Sequence, residues 1–314
     1  MKLKKPKFWD YNKPNFLALL LWPLSIIYKV IFNLSNKKKI KINSIKTICI
    51  GNIYIGGTGK TSLAIKIKQI LDQKNIRACF IKKQYADQID EVKLLQNYGK
   101  IFVNKKRIEA LKQAASENYE VAIFDDGLQD NSIEFDLIFV CFNKLNWIGN
   151  GFVIPAGPLR EDISNLKFYH HVFLNGNEEK TEIEKNFIKK INPKTIIYES
   201  RYRPLNLEDF DKGEKYLVFS GIGNHKTFIN MLKKKKFNIL SDLEFPDHFY
   251  YKKSDLSKIF LKAKKLNARI ITTEKDYLRI NQSLSKDIKF IKSELEIMNE
   301  DSLTRVLINN NVNH

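Results

Sequence analysis

The sequence predicts an α/β fold in which a mostly parallel sheet is flanked by helices. A β-branched run, Ile45–Ile50, is followed by a glycine-rich loop and the helix-like stretch Ser62–Leu71. A second apolar run, Val121–Phe124, ends in two carboxylates, Asp125 and Asp126. Further strand-like runs alternate with helical or polar stretches, and this alternation implies parallel strands with ligands at their carboxyl ends. These runs are Ala78–Ile81, Ile101–Val103, Leu137–Phe142, Lys194–Tyr198, Tyr216–Ser220 and Ala268–Thr272.

The composition is that of a globular protein with an anionic partner. Of 314 residues, 43% are hydrophobic and 12% are aromatic, which excludes a disordered chain. Lys and Arg number 54 against 35 Asp and Glu, so the formal net charge is +19. Such a charge favours nucleic acid, an anionic membrane surface or a phosphorylated substrate. The three cysteines, Cys49, Cys79 and Cys141, lie in separate apolar runs and are interpreted as reduced core residues of a cytoplasmic protein.

The N-terminal segment predicts a helix that lies on a membrane surface. Residues 16–28 read FLALLLWPLSIIY, which is shorter than the ~20 apolar residues of a span and is interrupted by Pro23. Apolar residues then recur at helical spacing beside lysines, as in an interfacial helix. They are Leu24, Ile27, Tyr28, Ile31 and Leu34; the flanking lysines are Lys2, Lys4, Lys5, Lys7 and Lys37–Lys39. A buried helix packed on its own domain is the alternative, and a secretory signal is disfavoured because no small-residue cleavage site follows.

The glycine-rich loop predicts a phosphate site and a P-loop NTPase-like fold. Its backbone N–H groups and the following helix N-terminus would surround phosphates, with Lys60 at the β/γ oxygens and Thr61 on Mg²⁺. The loop is a variant, because Tyr54 stands where the strict pattern has glycine. The predicted nucleotide-binding residues are Gly56, Gly57, Thr58, Gly59, Lys60, Thr61 and Ser62.

The carboxylates that follow Val121–Phe124 predict a metal site opposite this loop. Asp125 and Asp126 are in the arrangement that holds or polarises Mg²⁺, and the signal gains weight from its pairing with the glycine loop, since an Asp-Gly turn alone is common. Near residues 177–192 the composition becomes charged. We therefore expect an N-terminal helical segment over 1–40, a P-loop core over 41–177 and a smaller C-terminal α/β lobe over 178–314.

Eight motifs follow one another along nearly the whole chain. They are PKFWDYN at Pro6–Asn12, PLSIIY at Pro23–Tyr28, GNIYIGGTGKT at Gly51–Thr61, DDGLQ at Asp125–Gln129, GNGFVIPAGPLRE at Gly149–Glu161, GIGN at Gly221–Asn224, FPDH at Phe245–His248 and TTEKD at Thr272–Asp276. In this order they resemble the tetraacyldisaccharide 4′-kinase family.

The resemblance implies a lipid kinase that uses ATP and Mg²⁺. The γ-phosphoryl group of ATP would pass to the 4′-hydroxyl of a tetraacylated glucosamine disaccharide 1-phosphate, a lipid A precursor, giving the 1,4′-bisphosphate. The enzyme would be peripheral, or monotopic, on the cytoplasmic face of the bacterial inner membrane. A lipid substrate accounts for the apolar N-terminal segment, and an anionic sugar phosphate in an anionic bilayer suits the positive charge.

The resemblance also implies the catalytic residues. The family's dyad is an Asp in a Gly-Asp-Glu-Pro segment and the His of the Phe-Pro-Asp-His segment, which here match Asp90 and His248; the flanking Gly and Pro are absent around Asp90. Such a pair takes a proton from the attacking hydroxyl. The residues leave open which of the two does so. Glu91 is a candidate near the metal.

Three more residues of the matched motifs are candidates for the site. Arg160 is expected to neutralise phosphate charge through its planar donor fork. Glu161 matches a family residue beside it, and Gln129 is expected to orient a water or a phosphate.

The chain departs from the family pattern near these residues. Lys82–Ala86 reads KKQYA where the family has Ser-Arg-Gly-Tyr-Gly, and the stretch from there to Asp90 is shorter than usual. Asp130 and Asn131 stand in place of His-Arg, and His225 stands in place of Pro.

Two other functions are weighed against the kinase. A membrane-associated P-loop ATPase that regulates a partner shares the loop and the amphipathic segment, but it usually carries a lysine before the two glycines, where Ile55 stands. A nucleic-acid-binding ATPase is favoured by charge alone, because neither a basic stripe with interleaved aromatics nor a recognition helix is readable. We therefore expect a kinase and no nucleic-acid partner.

Overall fold

The computed structural model describes residues 5–34, 39–85, 89–177 and 181–309. Lys2, Lys4, Lys37, Lys38 and Ala86, and the side chain of Leu34, lie outside that description. In chain order the elements are α1 (Phe16–Leu34), β1 (Lys46–Gly51), α2 (Lys60–Gln73), β2 (Ala78–Lys83), α3 (Ile89–Gln96), β3 (Ile101–Asn104), α4 (Arg107–Ser116), β4 (Val121–Asp125), β5 (Leu137–Asn143), β6 (His171–Asn175), α5 (Glu182–Ile191), β7 (Ile196–Pro204), β8 (Lys215–Ser220), α6 (His225–Lys234), β9 (Asn238–Glu244), α7 (Lys253–Leu266), β10 (Arg269–Thr273), α8 (Glu274–Tyr277), β11 (Ile288–Ile291), β12 (Ser293–Ile297) and α9 (Glu300–Asn309).

A mostly parallel sheet forms the body of the molecule, which confirms the predicted fold class. Its strands run in the order β12-β7-β6-β5-β1-β4-β2-β3, and β12 pairs antiparallel with β7 while the other neighbours are parallel. All of β4 is buried, as is β1 after its first residue. Such strands are covered on both faces, which is why they are continuously apolar. Leu63 and Ile67 of α2 pack on one face, and Ile108 and Leu111 of α4 pack on the other.

A smaller parallel sheet follows, with the strand order β11-β10-β8-β9. Helix α6 covers one face, where Leu232 packs near Val218, and α7 covers the other, where Ile259 packs near Phe219. We call residues 205–292 the small lobe, and residues 39–204 with 293–309 the large lobe. The strand ends of both sheets face a shared cleft, which the loops described below line.

The chain leaves the large sheet and later returns to it. The expected boundary near 177–192 falls between β6 and β7, which are paired neighbours with Asn175 opposite Ser200. The charged stretch there is helix α5, which buries Ile188 and exposes its polar face, so its composition marks a solvated helix. Strand β12 and helix α9 also belong to the large lobe. The small lobe is therefore shorter than the predicted 178–314.

Helix α1 lies on the large lobe with most of its apolar surface exposed. Ala18 and Ser25 face the body, where Ser25 Oγ donates to the carbonyl of Val153 at 2.7 Å. Lys29 forms an ion pair with Asp162. The exposed apolar side chains are Phe16, Leu17, Leu19, Leu20, Trp22, Leu24, Ile26, Ile27, Val30 and Ile31. Helix α1 is therefore not a core helix, and within the described ranges no helix is both long and apolar enough to cross a bilayer.

Candidate active site

The glycine-rich loop joins β1 to α2 and faces the small lobe. Gly56 and Gly59 have φ values of +107° and +87°, which favour glycine. Gly59 is the N-cap of α2, so the unpaired N–H groups of the helix start lie at the loop. A Cβ on Gly57 would lie 2.6 Å from the carbonyl carbon of Gly223, so only glycine permits this approach of the two lobes.

The loop lines a cavity of about 430 Å³ between the lobes. Two buried polar atoms from residues of its wall, Thr58 Oγ1 and Asn224 Nδ2, have no hydrogen-bond partner in the described part of the chain. Buried polar groups are normally paired, so these atoms point to a polar ligand. Thr58 comes from the loop and Asn224 from the small lobe, hence the ligand would contact both.

Tyr54 explains the departure from the strict loop pattern. Its side chain is buried beneath the loop, and its hydroxyl donates to Asp10. Lys5 Nζ donates to the same hydroxyl at 2.7 Å. Trp9 Nε1 donates to the carbonyl of Pro155 at 3.0 Å, which fixes the N-terminal turn on the large lobe. Position 54 thus links the phosphate loop to the segment that precedes α1.

Oxygen atoms of Thr61, Glu91 and Asp125 meet beside the loop. Thr61 Oγ1 lies 3.2 Å from Asp125 Oδ2 and 3.4 Å from Glu91 Oε1. Asp125 Oδ1 is buried and has no partner in the described part of the chain. Hard oxygen ligands of this kind suit Mg²⁺, so the residues present fit the ion. No described group of three His, Cys, Asp or Glu side chains is arranged to hold a metal by itself.

Asp126, also predicted at the metal, is placed differently. It lies in the left-handed region with φ of +62°, and its Oδ1 accepts from Arg160 Nη1 at 2.9 Å and lies 3.6 Å from Lys60 Nζ. Burial raises the pKa of Asp126, but Lys60 and Arg160 outweigh that effect and hold the pKa well below its usual range. Asp126 therefore stays ionised between two cations.

Asp90 and His248 meet across the two lobes. Helix α3 carries Asp90, and the loop after β9 carries His248, whose Nδ1 lies 3.2 Å from Asp90 Oδ1. Burial opposes ionisation of Asp90, but its hydrogen bond with His248 and its pairing with Arg279 lower its pKa to about 2. Burial likewise lowers the pKa of His248, yet the same bond and the charges of Asp247 and Glu91 raise it overall. The structure thus brings together the two residues proposed as a dyad.

Arg160, Gln129 and Glu161 form one chain of contacts. Arg160 Nη1 donates to Gln129 Oε1 at 2.9 Å, and Gln129 Nε2 donates to Glu161 Oε1 at 3.3 Å. Glu161 also accepts from Asn165 and Tyr169, and burial raises its pKa. Arg160 lines the cavity, whereas Gln129 and Glu161 do not; Gln129 bonds Arg160 and lines a second cavity described below.

Sequence reasoning missed three cations of the site. Lys82 Nζ bonds both Glu91 and Asp125, Lys275 Nζ lies 3.0 Å from Glu91 Oε1, and Arg279 Nη2 donates to Asp90 Oδ2 at 2.6 Å. Lys275 stands in the TTEKD motif, which was the available signal. Lys82 and Arg279 were not singled out, because the partners that bring them to the site, Asp125 and Asp90, are distant in sequence.

A second cavity, of about 660 Å³, adjoins the first. Tyr28 and Phe32 of α1 form one side of it. Its basic lining comes from Lys83, Lys105, Lys106, Arg107 and Arg160. Asp126 and Arg160 line both cavities, so the two spaces meet at these side chains.

Comparison with known proteins identifies the relatives of this chain. The family model described as LpxK, tetraacyldisaccharide-1-P 4′-kinase, matches residues 17–311. The tetraacyldisaccharide 4′-kinase of Pelagibacter ubique (strain HTCC1062) is 61% identical over 308 residues, which cover 98% of each chain. That of Rickettsia akari (strain Hartford) is 33% identical and covers 96% of each. The solved structure of LpxK from Aquifex aeolicus in complex with ATP is 21% identical, with a TM-score of 0.68 over 94% of this chain and 99% of that one, which shows the fold.

Proposed function

The chain belongs to the tetraacyldisaccharide-1-P 4′-kinase family, and from this premise we propose that it transfers the γ-phosphoryl group of ATP to the 4′-hydroxyl of a tetraacylated glucosamine disaccharide 1-phosphate. One observation carries the proposal: His248, which is hydrogen-bonded to Asp90, lines the same cavity as the glycine-rich loop. This supports a site at which a phosphoryl donor held by the loop would meet a proton acceptor, as phosphoryl transfer to a hydroxyl requires.

The donor side of the reaction is assigned to the loop and its neighbours. The backbone N–H groups of residues 56–61 and the start of α2 would hold the phosphates, and Lys60 would place its charge on the transferred group. Thr61, Asp125 and Glu91 would hold Mg²⁺ together with phosphate oxygens, as is usual for this ion. When bound, Mg²⁺ supplies charge neutralisation at the phosphate oxygens.

The proton acceptor is assigned to His248, with Asp90 in support. Asp90 uses one oxygen for His248 and the other for Arg279, so neither is open to the substrate, and its pKa of about 2 makes it a weak base. His248 has its pKa raised above the ordinary histidine value, which suits proton transfer near neutral pH. Asp90 would hold the imidazole in orientation and stabilise its protonated form.

The acceptor lipid is assigned to the second cavity. Lys83, Lys105, Lys106 and Arg107 give its wall a positive charge that suits the 1-phosphate of the sugar. Its other side is formed by α1, whose exposed apolar face would lie in the headgroup layer of a membrane. The 4′-hydroxyl would then reach the donor at Asp126 and Arg160, where the cavities meet. We place the protein on the cytoplasmic face of the bacterial inner membrane, where ATP and the lipid are both accessible.

A transfer assay tests this function. Purified protein is given γ-labelled ATP and Mg²⁺ with the tetraacylated disaccharide 1-phosphate, with the same lipid already blocked at the 4′ position, or with no lipid. Label is expected on the lipid only when the 4′-hydroxyl is free. Release of labelled phosphate at the same rate in all three reactions would identify an ATPase and refute the transfer.

A further inference from the structure

Lys82 is a fully enclosed lysine at the carboxylates of the proposed metal site. It lies near the end of β2, and its side chain is 1% exposed. Its Nζ donates to Glu91 Oε2 at 2.6 Å and to Asp125 Oδ2 at 2.7 Å. Both carboxylates lie within hydrogen-bonding distance of the ammonium, so its buried charge is paired.

The contacts of Lys82 occupy one oxygen of each carboxylate. Lys82 uses Oε2 of Glu91 and Oδ2 of Asp125, whereas Asp125 Oδ1 has no partner in the described part of the chain. Glu91 Oε1 faces Thr61 and Lys275. The ammonium therefore bonds one oxygen of each carboxylate, including the Asp125 Oδ2 that lies 3.2 Å from Thr61 Oγ1, and it fixes the orientation of both carboxylates.

The charges around these oxygens are balanced before any metal binds. Glu91 and Asp125 contribute two negative charges, and Lys82 and Lys275 contribute two positive ones. Lys275 lines the cavity with a side chain that is 24% exposed, whereas the side chain of Lys82 is 1% exposed and lies away from the cavity wall. A divalent ion that binds here without nucleotide is therefore repelled by the enclosed Lys82 ammonium.

We propose that Lys82 is a positioning residue that makes metal binding depend on the nucleotide. It holds Glu91 and Asp125 in place without metal, and its fixed charge weakens the site for a divalent ion until phosphate oxygens add their negative charge. This inference rests on the proposed use of Mg²⁺ and ATP by the enzyme. It also gives a physical role to a position where the chain departs from the pattern of its family.

The test is Mn²⁺ binding, measured by electron paramagnetic resonance with and without a non-hydrolysable ATP analogue. Lys82→Met removes the charge and keeps much of the side-chain volume. Since a unit charge beside a dication acts strongly at low effective dielectric, we expect Lys82→Met to bind Mn²⁺ without nucleotide at least about tenfold more tightly than wild type. Lys68→Met is the matched control, because Lys68 is also buried and paired, with Asp72 at 2.6 Å, but lies outside the site.

Thermal unfolding gives a second readout. Without metal, the melting temperature of Lys82→Met should fall below that of wild type, and Mn²⁺ should restore much of the difference; any fall in Lys68→Met should not be restored. If Lys82→Met yields no folded protein even with Mn²⁺, Lys82→Gln is measured in the same way. Unchanged or weaker nucleotide-free Mn²⁺ binding in the charge-free variant overturns the inference. Wild type that binds no Mn²⁺ even with the analogue contradicts the proposed metal chemistry instead.

Discussion

Asp90→Asn removes one charge from the proposed proton-accepting pair and keeps the shape of the side chain. Asp90 is hydrogen-bonded to His248 and Arg279, and it is not among the residues that line the cavity at the glycine-rich loop. We therefore expect kcat to fall by about 10²- to 10⁴-fold, the range typical of a positioned acid–base group, with little change in the KM for ATP. Initial rates of label transfer to the lipid at saturating lipid give both constants.

The structure also sets the size of the stability loss. Asp90 has a pKa of about 2 in place of the usual 3.8, because the His248 hydrogen bond and Arg279 outweigh burial. Each pKa unit corresponds to about 1.4 kcal/mol, so the ionised carboxylate contributes roughly 2 kcal/mol at neutral pH. Since the folded pKa is depressed, this stability is present above the unfolded pKa and is lost as pH falls through about 2. Denaturant unfolding of Asp90→Asn and wild type should show a difference in the free energy of unfolding at pH 7 that becomes smaller below pH 4.

The pH dependence of kcat reports on His248. As the acceptor, His248 must be neutral, so kcat should rise as pH increases through its pKa, which lies above the ordinary histidine value. The Asp90 hydrogen bond is the largest influence that raises this pKa. In Asp90→Asn the rising limb should therefore move to lower pH, a change that a purely structural role for Asp90 does not produce.

Two further variants decide whether the pair acts as a unit. His248→Ala with Asp90→Asn should cost little more than the worse single variant, because residues of one catalytic unit are non-additive. Losses that simply multiply would show two independent residues. If Asp90→Asn keeps kcat within about threefold of wild type while Glu91→Gln does not, the match across the shortened segment is misplaced and the reasoning fails.

Other perturbations test the remaining parts of the site. Lys60→Ala should abolish nearly all transfer, because the activation barrier rises by several kcal/mol, while Lys74→Ala at the far end of α2 should leave kcat unchanged. Equal rates in the two variants would refute the phosphate-loop assignment. Arg279→Met should lower kcat and raise the pKa of Asp90, which acid unfolding measures. Arg279→Lys, which keeps the charge, should restore part of kcat and part of the lowered pKa. If it restores neither, Arg279 acts by packing alone. Ile27→Glu on α1 should reduce flotation with anionic liposomes, while Ile183→Glu, an exposed apolar position on α5, should not; equal flotation would argue against membrane contact by α1.

The sequence predicted the elements whose signals are local. Strand β1, its loop and α2 are read from one continuous stretch, and β4 is read from its apolar run before Asp125. Four strands, β6, β9, β11 and β12, were missed. Strands β9 and β12 lie at sheet edges, are half exposed and mix charged residues with apolar ones, so they read as surface loops. Strand β6 is an inner strand with a short apolar run, which alone is a weak signal. The stretch that forms α5 was taken for a domain boundary because most of its residues are charged, as they are on the exposed face of a helix.

The site was predicted where the chain retains a motif, and missed where partners come from distant segments. The placement of Asp90 opposite His248 joins positions in different lobes, and only the family pattern indicated it. Lys82 reads as one of many surface lysines until its neighbours are known, since Asp125 lies 43 positions away along the chain. Burial of a charge is a property of the tertiary structure and is not encoded at the position itself.

The return of the chain to the large sheet also shapes the order in which the protein can fold during synthesis. The small lobe packs its own core from consecutive elements, so it can form as soon as residues 205–292 have left the ribosome. Most of the large lobe is synthesised before the small lobe, but its core is completed after that of the small lobe. Leu295 of β12 and Leu303 and Leu307 of α9 share a core cluster with Leu63 of α2, so the helix behind the phosphate loop lacks part of its packing until the last of these residues is made. The glycine-rich loop would thus acquire its final support only after residues 293–309 have been made, later than all of the small lobe.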